Sequence, residues 1–119
     1  MVGKVYFSDP ETGEFLEGIC MCGDVTECAQ VYEESFMHNK TANDVKEDVE
    51  DYLVWLRELD VGRLHMGRLR DHKSMVEVGY DSTAPTMEEV GQDLEAFIAS
   101  WDSVLRCILE YPEARITVV

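Results

Sequence analysis

Between Thr86 and Tyr111 apolar residues return with an insistence that leaves little choice of structure. Val90, Leu94, Phe97, Trp101, Val104, Ile108 and Tyr111 are separated by steps of 4, 3, 4, 3, 4 and 3, and Ile98 and Leu105 widen the stripe. That spacing is one dry face of a long amphipathic helix. Thr86 with Glu89 three residues on forms a capping box, and Pro85 lies just outside it. At the far end Pro112 stops the helix. A helix of this length must lay its stripe against other elements, so the chain is a folded domain.

Three further segments have their own period. Val5, Tyr6 and Phe7 precede the turn Asp9-Pro10-Glu11-Thr12-Gly13, and residues 14–22 return as a second strand, with Gly18 as a bulge. Asp24 with Glu27 caps a first helix running to about His38, with Val25, Cys28, Ala29, Tyr32 and Phe36 on one face. Asn43, or the Thr41/Asp44 pair, caps a second helix through about Leu59, with Gly62 just beyond its end. Its stripe is Val45, Val49, Tyr52, Leu56 and Leu59.

From Arg63 to Tyr80 the period changes to two. Leu64 and Met66 alternate with Arg63, His65 and Arg68, and Met75–Tyr80 is rich in β-formers, so the segment reads as a second hairpin. A helix over 63–70 competes, with Gly67 in its middle counting against it. Ala114–Val119 completes the chain as a strand. The expected fold is α+β, in the order ββααββαβ: a mainly antiparallel sheet of four to five strands with two or three helices on one face. At 119 residues with 45% apolar composition, residues 1–119 form a single domain with one core.

The charge is less ordinary. A net −15 repels nucleic acid and anionic lipid, since both are bound through Lys and Arg, and it favours encounter with cationic surfaces. Acidity that only aids solubility is the plainer account. No run of apolar residues is long enough for a membrane span, and Met-Val-Gly-Lys-Val-Tyr-Phe lacks the long apolar region of a signal peptide. Four cysteines without such a signal read as reduced thiols in the cytoplasm.

Placed on a helix at 100° per residue, residues 44–60 separate cleanly. Opposite the apolar stripe lie Asp44, Glu47, Asp51 and Glu58, flanked by Asp48 and Glu50, and Trp55 falls within the acidic arc. An aromatic ringed by carboxylates has the make-up of a binding anchor. The plainer reading packs Trp55 under a loop or on the long helix, which leaves the acids as a solvated face. Cations, by contrast, concentrate in one place. Arg63, Arg68, Arg70 and Lys73 share eleven residues with a single acid, Asp71, a net +3 that leaves the remainder of the chain at −18. That segment is either a second binding edge or is neutralised by acidic neighbours such as Glu77 and the hairpin glutamates.

Motifs for chemistry are weak. Cys20, Cys22 and Cys28 give C-x-C-x5-C, with His38 as a conceivable fourth ligand, but the second pair of a structural zinc site is missing. Cys107 falls off the long helix's stripe and reads as structural. His38, His65 and His72 match no zinc spacing, and neither a nucleophile elbow nor a phosphate-binding glycine loop occurs. Glu47-x-x-Glu50, faced by Glu89 and Asp93, would make a divalent-metal phosphohydrolase site. That fragment is similar to the α-helical nucleotide pyrophosphohydrolases.

No cofactor and no metal is implied. In size, charge and want of motif the chain resembles nuclease immunity proteins of bacteria, DNA-mimic proteins and phage-encoded inhibitors of defence nucleases, a likeness of physical class. It implies a non-enzymatic module that binds a basic, nucleic-acid-binding protein through Asp44, Glu47, Asp48, Asp51, Trp55 and Glu58, without contacting nucleic acid or membrane. The two heptad-like stripes also fit a homodimeric structural or adaptor domain.

Overall fold

A computed structural model describes residues 3–22 and 34–119. Along the chain run β1 (Lys4–Ser8), β2 (Phe15–Cys20), a 3-10 turn (Glu34–Met37), α1 (Ala42–Arg57), α2 (Val61–Glu77), α3 (Met87–Glu110) and β3 (Arg115–Val118). The strands form one antiparallel sheet in the order β2-β1-β3. The first helix expected, from Asp24 to His38, lies mostly outside the described residues, and its tail is the 3-10 turn.

The hairpin forms where expected. Asp9 Oδ1 accepts from the Glu11 and Thr12 N–H groups, which hold its carboxyl below the ordinary range. Gly13 turns the chain at φ +73°. The bulge is not at Gly18. Phe7 pairs with Glu17 and Ser8 with Phe15, so Leu16 is the extra residue. Gly18 instead lies beneath the Tyr6 ring, where an added Cβ would come 3.0 Å from Tyr6 Cδ1.

One face of the sheet is sealed by Val5, Phe7, Ile19 and Ile116, while the alternate residues Lys4, Gly18 and Cys20 are exposed. Residues 39–41 close the outer edge of β3: the Asn39 N–H donates to Ile116 O, the Ile116 N–H donates to Lys40 O, and Thr41 bridges Arg115. The start of α1 is capped by this same neighbourhood rather than by its own side chains. Thr41 is the N-cap residue but makes no side-chain cap bond, and the Ala42 and Asn43 N–H groups donate to Ala114 O and Pro112 O.

α3 matches its sequence signature. Thr86 accepts from the Glu89 N–H, and Val90, Leu94, Phe97, Trp101, Val104 and Ile108 are buried. Cys107 is buried as well, so it does not fall outside the helix's dry side. The stripes of α1 and α3 are buried together in the one core that also holds the sheet's inner face. At the centre the fully buried Trp101 stacks on Phe36 and meets the Tyr52 ring edge-on at 4.9 Å between centroids.

The expected order ββααββαβ with four to five strands is wrong at one place, residues 63–80. Residues 63–77 belong to α2, so the described residues read ββαααβ with three strands. Asp60 caps α2 by accepting from the Gly62 N–H; Gly62 therefore opens this helix and does not terminate α1. Gly79, at φ +98°, ends it: its N–H donates to Val76 O, and the Tyr80 N–H reaches back to Met75 O. That pair of bonds is the Schellman closure.

The apparent alternation has a physical origin. α2 buries only Leu64 and Gly67, and beyond these and the partly buried Val61 its inward contacts are polar. His65 Nε2 donates to Pro85 O, His72 Nε2 to Ser82 O, and Arg68 bonds Asp93 on α3. Residues 61, 64, 65, 68 and 72 are one helical face, but half of it is charged or imidazole and so looks outward-facing. Replacing Asp60 by alanine is expected to cost about 0.5–2 kcal/mol in urea unfolding, because the Gly62 N–H at the start of α2 loses its side-chain acceptor. Among the described residues no helix is long and apolar enough to cross a membrane.

Candidate functional site: the outer face of α1

Helix α1 turns Val45, Val49, Tyr52, Leu53 and Leu56 into the core. The opposite side carries the acids. Asp44, Glu47, Asp48, Asp51 and Glu58 are all exposed, as is Glu50 beside them. None of them makes an ion pair with another described residue. Of the two cations on the helix, Arg57 is turned to Asp102 on α3. Six carboxylates over residues 44–58 are spaced on average about 4.2 Å along the helix axis, against about 3.4 Å per phosphate along one DNA strand.

Trp55 is half-buried, intermediate between the anchor and the sealed residue. Its ring lies flat on Tyr52, 5.6 Å away at 15°, and Tyr52 in turn meets Phe97 and Trp101. An indole braced from beneath and partly open above can present area to a partner without first being ordered. Val54, 57% exposed, adds an apolar spot beside Glu47 and Glu50.

The carboxylates of the phosphohydrolase reading are not brought together. α1 and α3 run antiparallel, with Ala42 bonded to Ala114 and Arg57 to Asp102. Asp93 is about 14 Å further along α3 than Asp102, at 1.5 Å per residue, and Glu89 further still, whereas Glu47 and Glu50 lie toward the other end. Asp93 is in any case held by Arg68. Among the described residues no group of three or more His, Cys, Asp or Glu could hold a metal ion. Cys20 and Cys22 are both exposed, and His38 Nδ1 accepts from the Val118 N–H. Cys28 lies outside the described residues.

Neither a protein-family model, nor a curated protein, nor a solved structure matches the chain.

The basic segment is not neutralised by Glu77 or the hairpin glutamates. Arg68 pairs with Asp93, while Arg70 and Lys73 are exposed on the far side of α2. One hairpin glutamate has another use. Glu17 stands on the inner face of β2, where Arg106 grips both its oxygens at 2.8 and 3.5 Å and Cys107 Sγ donates to Oε2 at 3.1 Å. The Arg106 and Cys107 bonds hold the Glu17 carboxyl below the ordinary range. Burial, then the Glu17 carboxylate, pushes the Cys107 thiol up to about 12.

Cys107 is thus a clamp and not a nucleophile, since only a thiolate attacks. Its pKa is raised on folding, so the stability it contributes is complete below the unfolded value near 9 and is lost as pH climbs from there toward 12. Iodoacetamide at about pH 8 is expected to alkylate Cys20 and Cys22 in the folded protein and to spare Cys107. Peptide mass mapping reads this directly; equal labelling of Cys107 would contradict it.

Proposed function

We propose that the protein is a non-enzymatic binding module whose α1 face covers the cationic, nucleic-acid-binding surface of another protein and blocks it. The basic partner fits a nuclease best, so the module acts in the manner of an immunity protein, a DNA mimic or an inhibitor of a defence nuclease. One observation carries the reading: a row of carboxylates at phosphate-like density that has no ion-pair partner within the described fold. Charges left unpaired at the surface cost little alone, and they become useful when a partner supplies the counter-charge. The mechanism is long-range steering followed by register set at Trp55 and the carboxylates around it. Its place of action is the cytoplasm, where exposed thiols such as Cys20 and Cys22 stay reduced.

Affinity capture from a nuclease-treated lysate of the native host tests the proposal. Immobilised wild-type protein should retain basic nucleic-acid-binding proteins that elute as salt is raised, and a column carrying Glu47→Lys/Asp51→Lys should not. Equal retention on both columns would show that α1 is not the interface.

A further inference from the structure

The outer side of α2 belongs neither to the core nor to the acidic face. Among the described residues eleven large hydrophobic side chains are exposed, and six of them, Met66, Leu69, Met75, Val76, Val78 and Tyr80, fall within fifteen residues. A concentration of this kind marks an interaction surface. Three of these positions define a seam: Met66, Leu69, Lys73 and Val76 step by 3, 4 and 3, with Lys73 the one polar member. The seam lies about 120° round the helix from Leu64, Arg68 and His72, which face α3 and the connecting loop. Tyr80 follows the Schellman closure that ends the helix at Gly79.

Charge decides what covers the seam. Arg70 and Glu77 flank it on the same side, seven residues apart, and neither makes an ion pair among the described residues. When two copies of one helix pack antiparallel, the positions that follow the seam on one meet the same positions on the other. Arg70 then faces Glu77 of the second copy, and the two-fold axis repeats the pair. Parallel packing would set both Arg70 and Glu77 against the histidine side, where His65 and His72 are already bonded to loop carbonyls. Lys73 keeps its methylenes in the seam while its ammonium reaches the rim.

We propose that α2 is a self-complementary docking helix through which two copies of this chain associate antiparallel, leaving both α1 faces free. A seam about 15 Å long and 10 Å wide is smaller than a stable interface, so the association is weak, with an expected dissociation constant of roughly 100 µM. This surface is independent of the α1 proposal, and either can fail alone.

Sedimentation equilibrium of the full chain tests it, over about 5 to 200 µM at about 0.15 M salt, where repulsion between two acidic molecules is screened. The mass should rise from 13.6 kDa toward twice that value. Arg70→Glu and Glu77→Arg should each weaken association at least tenfold, with helical circular dichroism unchanged. An equimolar mixture of the two variants should recover the dimer, because every contact across the axis is again opposite in sign. The proposal is overturned by a wild type that stays at 13.6 kDa, by a dimer indifferent to both variants, or by a mixture that does not recover. It is overturned equally if the wild type stays monomeric and Arg70→Glu abolishes binding to phosphatidylserine vesicles.

Discussion

Trp101→Ala lowers the unfolding free energy by about 3–5 kcal/mol, the largest loss expected from a single substitution in this chain. The residue is fully buried at the point where α1, α3 and the 3-10 turn converge. Its ring stacks on Phe36, meets Tyr52 edge-on and touches Phe97 at 6.4 Å between centroids. Truncation removes all three aromatic contacts and opens a cavity that a helix pinned at both ends cannot close. Domains of this size hold roughly 5–15 kcal/mol in total, so the variant sits near its folding threshold. Trp101→Phe should cost less than half as much. It keeps a ring in place and discards an indole N–H that finds no hydrogen-bond partner among the described residues. Urea unfolding of the two variants side by side checks the ranking; equal losses would mean that the aromatic contacts contribute little.

Glu47→Lys/Asp51→Lys is the substitution with the largest expected effect on binding. Both residues are exposed on one face of α1, and reversing them moves the net charge from −15 to −11. Stability should change by no more than about 0.5 kcal/mol, because an i,i+4 pair of like charges replaces another. Association with a captured basic partner should slow at least tenfold at low salt and lose most of its salt dependence, since steering is the first thing such a change removes. Dissociation should change less. Stopped-flow or surface-plasmon kinetics across a salt series separates the two rates, and an unaltered association rate would place the contact elsewhere.

How far the residues alone could lead is clearest by comparing α3 with α2. α3, α1 and the hairpin each bury an apolar set at their own period, and Pro112 and Gly13 punctuate the first and last of them, so periodicity finds them. α2 lies against α3 and the 81–86 loop through imidazole and guanidinium bonds as much as through Leu64. A reading that treats polar residues as outward then turns a helix into two strands. Gly67, which counted against the helix, is one of its two buried residues. The signals that would have rescued it were Asp60 as a cap and Gly79 as a terminator. The acidic face was legible because exposed carboxylates keep the helical period with no partner to disturb it. The intermediate burial of Trp55 was not, since the Tyr52 ring beneath it is set by packing against α3. Nor could Glu17, Arg106 and Cys107 be joined, because 89 and 90 residues separate the glutamate from its partners.

Carboxyl footprinting of the protein alone and in complex with a partner captured from its host bears most directly on the role of α1. Carbodiimide labelling of Asp44, Glu47, Asp48, Asp51 and Glu58 should fall together on complex formation, while that of Glu11 and Glu113, exposed elsewhere, stays as it was. Unchanged labelling along α1 in a complex that protects another surface would contradict the account.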